Sequence, residues 1–295
     1  MSRFGEFCIL LGGGPMQAAG FGTIICPVDF SRLSGYALRH AARLAACGGA
    51  KLIAVYANWF DAPPYFTEGR IEELRKEFRD SQAEAALSLV ALVKSTLGEQ
   101  AASVEVRVIE GLPADVILKL AAETGAGLIV MGTHGRTGYN RWMMGSVAER
   151  VLSESPVPLL TVRGPSEAPI RRILCPVADT EASREALRVA AELAACLGAA
   201  LTALHVREPH SAAAPPDLCA WMPPEERTRC NVREVELDGD PASEIIGLAD
   251  EEHFDLLVVG APRRKFFGGL VLGTTTLRAV RHAPCPVLTV GERAL

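Results

Sequence analysis

The sequence predicts an α/β protein made of two tandem domains, each a doubly wound parallel sheet, with the second domain lacking one long helix. Three observations predict this class. The chain has 295 residues, about twice the usual length of a single domain. Its two halves repeat one another, and each half alternates short apolar runs with segments of helical periodicity.

The repeat sets the domain organisation. Ile24–Val28 recurs as Ile173–Val177 at an offset of 149 residues, whereas Pro156–Pro158 recurs as Pro284–Pro286 at an offset of 128. The second copy is therefore 21 residues shorter, and the loss falls between its second and third strands. We expect a poorly ordered leader, a first domain, a linker and a second domain at residues 1–20, 21–163, 164–169 and 170–295.

The first copy opens with two strands that are separated by a helix. Thr23–Val28 is a short apolar run rich in β-branched residues, which is typical of a strand. Ser34–Cys47 has helical periodicity and ends at two glycines, and Lys51–Ala57 returns to a strand pattern. Thr67–Leu97 then carries large apolar residues at helical spacing, and Gly98 ends this helix.

The remaining elements of the copy keep the alternation. A valine at every second position of 104–108 indicates a strand, and Ala114–Glu123 is a helix. Gly127–Met131 is nearly all apolar, the pattern of a strand covered on both faces. Ser146–Glu154 and Pro158–Val162 complete the copy as a helix and a strand. Strands joined by helical crossovers form a parallel, Rossmann-like sheet.

The second copy has no counterpart of the long helix. Five prolines lie between residues 209 and 224, and proline interrupts helices. Leu218, Trp221 and Met222 are too few to cover the sheet face that Thr67–Leu97 covers in the first copy. We therefore expect this face to pack against the first copy or a second chain, and the protein to be a homodimer.

Composition argues against several classes of protein. Apolar types make up 49% of the chain and charged types 22%, as in a folded protein with a sizeable core. A net charge of −5 offers no basic field for nucleic acid. No apolar run approaches the roughly 18 residues that a membrane span needs. We expect a cytoplasmic protein with no nucleic-acid or membrane partner.

The cysteines indicate neither a disulfide framework nor a metal site. The chain has eight cysteines and no Cys-x-x-Cys pair. Cys26, Cys47, Cys175 and Cys196 lie in apolar segments, where we expect reduced, buried thiols. A further set of metal-capable residues matches no zinc spacing and is expected to be exposed or packed: His205, His210, Cys219 and Cys230.

A glycine motif follows the predicted fourth strand. It reads Gly132-x2-Gly135-x9-Gly145-Ser146, and its last residue opens a helix. Glycine allows the backbone to approach a ligand closely, and the free N–H groups of a helix start suit a phosphate. Arg136 adds a positive charge. The alternative is that the glycines only form a tight turn.

Asp29 and His134 are the two side chains beside this motif whose roles stay open. Asp29 ends the first strand, where it either contacts a nucleoside or caps the first helix. His134 either interacts with phosphates, as a hydrogen-bond donor or pH sensor, or is an exposed loop residue. The apolar stripe at residues 89–93 is assigned to the core rather than to a ligand pocket.

These motifs resemble those of the ATP-binding class of universal stress proteins. That family carries Gly-x2-Gly-x9-Gly-Ser/Thr after its fourth strand and Pro-x-Asp-x-Ser after its first. The doubled chain is similar to the tandem type of the family, from about residue 21 to residue 291. The resemblance also implies that Pro158–Val162 and Pro286–Val290 pair the two copies edge to edge within one chain.

The resemblance implies that the first copy binds ATP. It also implies Mg²⁺ bound to the phosphates, although the sequence contains no cluster of metal ligands for it. The resemblance assigns residues to the parts of the nucleotide. The residues that would contact the ribose and adenine are Pro27, Val28, Asp29 and Ala57. Met131 and Gly132 would lie along the nucleoside, and Gly135 and Arg136 along the phosphates. The outer phosphates would be held by Gly145, Ser146 and Val147.

The second copy departs from the family pattern. Ala178 stands where the first copy has Asp29, although Asp179 follows it, and Arg263 replaces Gly135. We expect a degenerate site that is either empty or holds an altered ligand. Its residues are Val177, Asp179, Val206, Gly260, Arg263, Gly273 and Thr274.

The resemblance implies a stress-response regulatory protein whose ATP, held mainly by the first domain, alters its shape or its partners. The sequence has no Gly-x4-Gly-Lys-Ser/Thr phosphate loop and no residue evidently placed to orient an attacking water. We therefore expect no catalytic residues. A slow ATPase or another nucleotide-dependent enzyme of the same adenine-binding architecture, and a scaffold with a vestigial site, stay open as alternatives.

Overall fold

The computed structural model describes residues 20–59, 68–134, 144–165, 168–208, 221–222, 227, 230–266 and 269–291. The leader predicted at residues 1–20 lies outside these ranges except for its last residue. The α/β class and the tandem, mostly parallel arrangement are confirmed.

The first domain has five strands and four helices in the described residues, all of them predicted, with ends that differ from the predictions by at most two residues. They are β1 (Thr23–Pro27), α1 (Arg32–Gly48), β2 (Lys51–Asn58), α2 (Glu68–Leu97) with a 3-10 turn (Gly98–Ser103), β3 (Val104–Glu110), α3 (Pro113–Thr124), β4 (Leu128–Gly132), α4 (Ser146–Glu154) and β5 (Leu159–Val162).

The second domain repeats this order without a counterpart of α2 in its described part. Its elements are β6 (Arg172–Pro176), α5 (Glu181–Leu197), β7 (Ala200–Arg207), β8 (Val232–Asp238), α6 (Pro241–Glu251), β9 (Leu256–Gly260), β10 (Arg263–Phe266), β11 (Gly269–Leu272), α7 (Thr274–His282) and β12 (Val287–Val290). The antiparallel hairpin β10–β11 was not predicted, because its sequence lacks a regular alternation of apolar residues.

The two domains share one sheet of ten strands in the order β3-β2-β1-β4-β5-β12-β9-β6-β7-β8. Every neighbouring pair is parallel except β5 and β12, which run antiparallel with Leu160 opposite Leu288. The edge-to-edge pairing of the two last strands is therefore confirmed. Within each domain the order reverses direction between the first and fourth strands, where ligands bind in open α/β sheets.

Two buried threonines reinforce the junction in a reciprocal way. Thr161 Oγ1 donates a hydrogen bond to the carbonyl oxygen of Val287 at 3.1 Å, and Thr289 Oγ1 donates to that of Leu159 at 3.2 Å. Thr161 and Thr289 are equivalent residues at the repeat offset of 128. The junction therefore has a local two-fold pseudosymmetry.

Helices cover both faces of the sheet. Buried residues of α1, α2 and α5 pack on one face, and those of α3, α4, α6 and α7 pack on the other. Each of the two apolar clusters contains residues of both domains. Leu89 and Val93 of α2 are buried in the first cluster, which agrees with the assignment of this stripe to the core.

Residues after β7 cover part of the sheet face of the second domain on which α5 packs. Met222 and Cys230 are buried in the same cluster as α5, and Trp221 packs against that cluster. Leu218 lies outside the described residues. The homodimer stays a prediction.

One cysteine prediction is wrong. Cys47 and Cys196 are only half-buried and form a disulfide, with their Cα atoms 5.8 Å apart. The sequence pattern missed the pair because the two residues are 149 positions apart and meet only when α1 and α5 pack side by side. Cys26 and Cys175 are buried and unbonded, as expected, and burial raises the pKa of both thiols far above the usual range.

None of the helices in the described segments is long and apolar enough to cross a membrane.

His40 in α1 makes the fold sensitive to acid. Its side chain is fully buried, and neither ring nitrogen has a hydrogen-bond partner among the described residues. Burial, and secondly the charge of Arg43, lower the pKa of His40 to about 4. The unfolded chain, with an ordinary histidine pKa near 6.5, therefore binds a proton that the folded chain excludes, so stability falls as the pH drops through this window.

We predict that His40→Val, which installs the residue found at the equivalent position 189, reduces the acid sensitivity. When the pH is lowered from 6.5 to 4, the free energy of unfolding should decrease in both proteins. The decrease should be up to about 3 kcal/mol larger in the wild type than in the variant. Urea unfolding at both pH values measures this difference. The reciprocal variant Val189→His should increase the acid loss. Equal pH dependence of the wild type and His40→Val would contradict the prediction.

Candidate functional site

A cavity of about 370 Å³ opens at the carboxyl ends of β1 and β4 in the first domain. This position is the switch point of the strand order, and the volume lies in the range of small-molecule sites. Residues of β1, β2, β4, α1, α3 and α4 contribute to its wall. The cavity is the candidate functional site.

The cavity brings together most of the first-domain residues that the sequence predicted. Those that line it are Pro27, Val28, Asp29, Ala57, Met131, Gly132, Gly145, Ser146 and Val147. Gly135 and Arg136 lie outside the described residues, so their predicted place beside the phosphates is not part of this geometry.

The loop after β1 holds Asp29 at the cavity wall. Asp29 Oδ1 accepts a hydrogen bond from the Ser31 N–H at 3.0 Å, and Ser31 is the residue that caps α1, with Oγ accepting from the Ser34 N–H. Between them Phe30 has φ of 63°, a strained conformation for a bulky residue, and its ring packs on Tyr56 with centroids 4.9 Å apart. The loop therefore fixes the Asp29 carboxylate, and the helix cap is another residue.

Gly132 has a packing role in addition to its place in the wall. A Cβ atom at this position would lie 2.9 Å from Leu33 Cβ, because the start of α1 crosses the end of β4. Gly260 in the second domain meets the backbone of Ala182 in the same way, at 2.8 Å. Close helix–strand packing alone therefore requires glycine at both positions.

The start of α4 forms a polar part of the wall. Its N-cap is Gly145, which has no side chain to cap the helix and whose own N–H donates to the carbonyl oxygen of Thr133 at 2.8 Å. The first intrahelical bond begins at Glu149, so the N–H groups of Ser146, Val147 and Ala148 have no partner within the helix. Free N–H groups and the positive end of the helix dipole suit an anion.

His134 is a further residue that lines the cavity of the first domain. It is half-buried rather than exposed, with Nδ1 2.9 Å from Thr133 Oγ1, and Nε2 is buried without a partner among the described residues. Burial, and secondly the charge of Arg163, lower the pKa of His134, so the imidazole is neutral at pH 7. Arg163 in turn donates to the carbonyl oxygen of Val280 in α7 at 3.0 Å. The cavity wall thus includes a neutral imidazole whose two ring nitrogens are not free to the solvent.

Several further residues line the cavity and were not singled out in the sequence: Ser34, Val55, Tyr56, Pro113, Ile117, Thr133 and Ala148. The repeat contained a signal for three of them, because Ser34, Pro113 and Ile117 correspond to Ser183, Pro241 and Ile245, which line the second cavity. The others, Val55, Tyr56, Thr133 and Ala148, have no identical counterpart in the second copy and carry no local signal.

The second domain has an equivalent cavity of about 590 Å³. The predicted residues that line it are Val177, Val206, Gly260, Gly273 and Thr274. Asp179 does not, because its exposed carboxylate forms an ion pair with Arg184 at 3.0 Å. Ala178 lines the cavity in its place, and Arg263 begins β10, opposite Leu272. Asp179 therefore does not replace Asp29.

The described residues bring no group of three or more His, Cys, Asp or Glu side chains into metal-binding proximity. His205 instead places Nδ1 3.0 Å from the carbonyl oxygen of Val177, and Cys230 Sγ lies against the carbonyl oxygen of Ala191. His210 and Cys219 lie outside the described residues.

Comparison with known proteins supports the assignment suggested by the motifs. Universal stress protein MJ0531 of Methanocaldococcus jannaschii is 34% identical over 147 residues, which are 49% of this chain and 83% of that protein. Universal stress protein YxiE of Bacillus subtilis is 30% identical over 151 residues, 48% of this chain and 99% of that protein. Each relative therefore corresponds to about half of this chain.

A solved structure covers both halves together. The crystal structure of a universal stress protein from Archaeoglobus fulgidus is similar over 93% of this chain and 99% of its own, with a TM-score of 0.71 at 20% identity, which shows the shared fold. The family model of the universal stress protein family matches residues 20–163 and again residues 169–291. The chain therefore belongs to the universal stress protein family, as a tandem protein with two copies of the family domain.

Proposed function

We propose that the protein is a nucleotide-binding regulator that holds one ATP in the cavity of the first domain. The observation that carries the proposal is that this cavity combines the Asp29 carboxylate with the uncapped start of α4. A carboxylate accepts hydrogen bonds from a ribose diol, and free helix N–H groups bind phosphate. The two ends of a nucleotide thus find chemically matched groups in one cavity.

The apolar part of the wall suits a base. Val28, Val55, Ala57, Ile117 and Met131 line the same cavity, and aliphatic surfaces can enclose a planar ring. Gly135 and Arg136, which the resemblance assigns to the phosphates, belong to the same proposal.

The wall favours binding over catalysis. Among its described residues Asp29 is the one carboxylate, and no second acid or base accompanies it except the neutral His134. Hydrolysis of ATP needs a group that orients the attacking water near the terminal phosphate. We propose that ATP occupancy changes the surface offered to a protein partner, with Mg²⁺ as a companion of the phosphates.

We predict that Gly145→Gln weakens ATP binding at least tenfold, which corresponds to about 1.4 kcal/mol. Gly145 has φ of −67°, which any L residue adopts, so the added side chain obstructs the start of α4 without straining the backbone. Calorimetric titration with ATP measures the affinity. Gly273→Gln is the matched control, because Gly273 is the N-cap of α7 with φ of −58°, and it should leave the affinity unchanged. Equal affinity of Gly145→Gln and wild type would refute the site.

We predict a stoichiometry of one ATP per chain. The second cavity has Ala178 in place of the ribose-binding carboxylate, and Asp179 is held outside it by Arg184. Mass spectrometry of small molecules released from the purified protein, together with the calorimetric stoichiometry, tests this. Two tight sites per chain would overturn it. Steady ATP turnover faster than about 1 s⁻¹ would favour an enzyme, and absence of any bound or binding nucleotide would favour a scaffold.

We predict that the full chain forms a homodimer through one face of the second domain. This face corresponds to the one that α2 covers in the first domain. Burial of apolar side chains contributes roughly 1.5 to 3 kcal/mol each, so a face without its helix gains from a partner. Light scattering should give twice the chain mass of 31.4 kDa. A monomer of full length, together with a soluble, cooperatively folded fragment of residues 166–295, would show that the second domain covers its own core.

A further inference from the structure

The cysteines of the described residues fall into two kinds. Cys26, Cys175, Cys230 and Cys285 are buried and form no disulfide. Burial raises the thiol pKa of Cys26, Cys175 and Cys285, to about 12 for Cys285. Such thiols are protected from solution chemistry. Cys47 and Cys196 are the exception, because both are half-buried and bonded to each other.

The pseudosymmetry of the chain explains why these two residues meet. Cys47 and Cys196 are equivalent positions of the two repeats, and equivalent residues related by a two-fold axis can touch only on that axis. Leu160 and Leu288, which face each other in the β5–β12 pair, are also equivalent and mark the axis within the sheet. The cysteine pair marks the same axis in the helix layer. Its Cα separation of 5.8 Å suits a disulfide.

The pair joins the two helices whose other ends reach the cavities. Cys47 lies at the carboxyl end of α1 and Cys196 at that of α5. Ser34 near the start of α1 lines the first cavity, and Ser183 near the start of α5 lines the second. A bond between these helices therefore adds a covalent link in the helix layer to the hydrogen-bonded link in the sheet.

We propose that the Cys47–Cys196 disulfide is reversible: it holds the two domains together under oxidising conditions and opens to two thiols under reducing conditions. The partner is a small disulfide, written RSSR. The thiolate of one cysteine attacks RSSR, which forms a mixed disulfide and releases one RS⁻. The second cysteine then attacks the protein sulfur of the mixed disulfide, which closes the Cys47–Cys196 bond and releases the other RS⁻.

Both thiol protons end on the released RSH molecules, so two protein thiols and one RSSR give one protein disulfide and two RSH. The two electrons pass from the cysteines to RSSR, and an excess of a dithiol reverses the reaction. This disulfide does not depend on ATP binding. It encloses 149 positions of the chain, and a cross-link that closes so long a loop strongly restrains the unfolded chain.

To test the proposal, the folded full-length protein is oxidised with glutathione disulfide. Mass spectrometry then identifies which cysteines are linked. The background variant is Cys8→Ser/Cys219→Ser, which removes the two cysteines outside the described residues. After oxidation we expect a linked pair of tryptic peptides, residues 44–51 and 189–207, which dithiothreitol separates. A non-reducing gel should keep the protein at the mass of one chain.

The thermal stability gives a second readout. We expect oxidation to raise the melting temperature by at least about 5 °C and dithiothreitol to reverse the rise. Cys47→Ser and Cys196→Ser, each made in the same background, should show no linked peptides and no response to either reagent. Absence of the linked peptides, a link between separate chains instead of within one, or an unchanged melting temperature on oxidation would overturn the proposal.

Discussion

The antiparallel pairing of β5 and β12 is the interaction on which the rest of the structure depends. All residues of both strands are buried, so their backbone N–H and C=O groups need hydrogen-bond partners within the protein. Each strand would be an open sheet edge in an isolated domain, and pairing the two edges satisfies both at once. The reciprocal bonds of Thr161 and Thr289 add a side-chain contribution of about 1 kcal/mol each. Because the pairing is continuous, both apolar clusters extend across it.

The same pairing imposes a two-fold relation on a chain whose halves differ. It brings equivalent residues together near the axis, as with Leu160 and Leu288 in the sheet and with Cys47 and Cys196 in the helix layer. Other equivalent positions have diverged in some places. His40 is buried and without a polar partner in the described residues, whereas position 189 holds a valine that suits the same core.

The cavities show which features belong to the scaffold and which to a ligand. Gly132 and Gly260 are both required by the close approach of a helix to a strand, so the glycine in the second domain does not by itself indicate a ligand. The loop after the first strand is different. Phe30 holds a strained conformation beside Asp29, whereas the corresponding loop at 178–180 has no residue with a positive φ and has an alanine at the cavity. Strain retained in one copy and not in the other is typical of a functional position.

The sequence by itself determined the α/β class, the tandem repeat, almost every strand and helix, and the first-domain wall residues carried by motifs. Each of these depends on local periodicity, on turn residues, or on similarity between the halves, all of which can be read along the chain. It did not determine that Asp179 turns to Arg184, that Ser31 rather than Asp29 caps α1, or that α3 contributes to the cavity. It also assigned Cys47 and Cys196 to the core as separate thiols. Only the tertiary structure decided these points, because most of them depend on contacts between side chains of different elements. The strand order and the two-fold axis determine which of these elements come into contact.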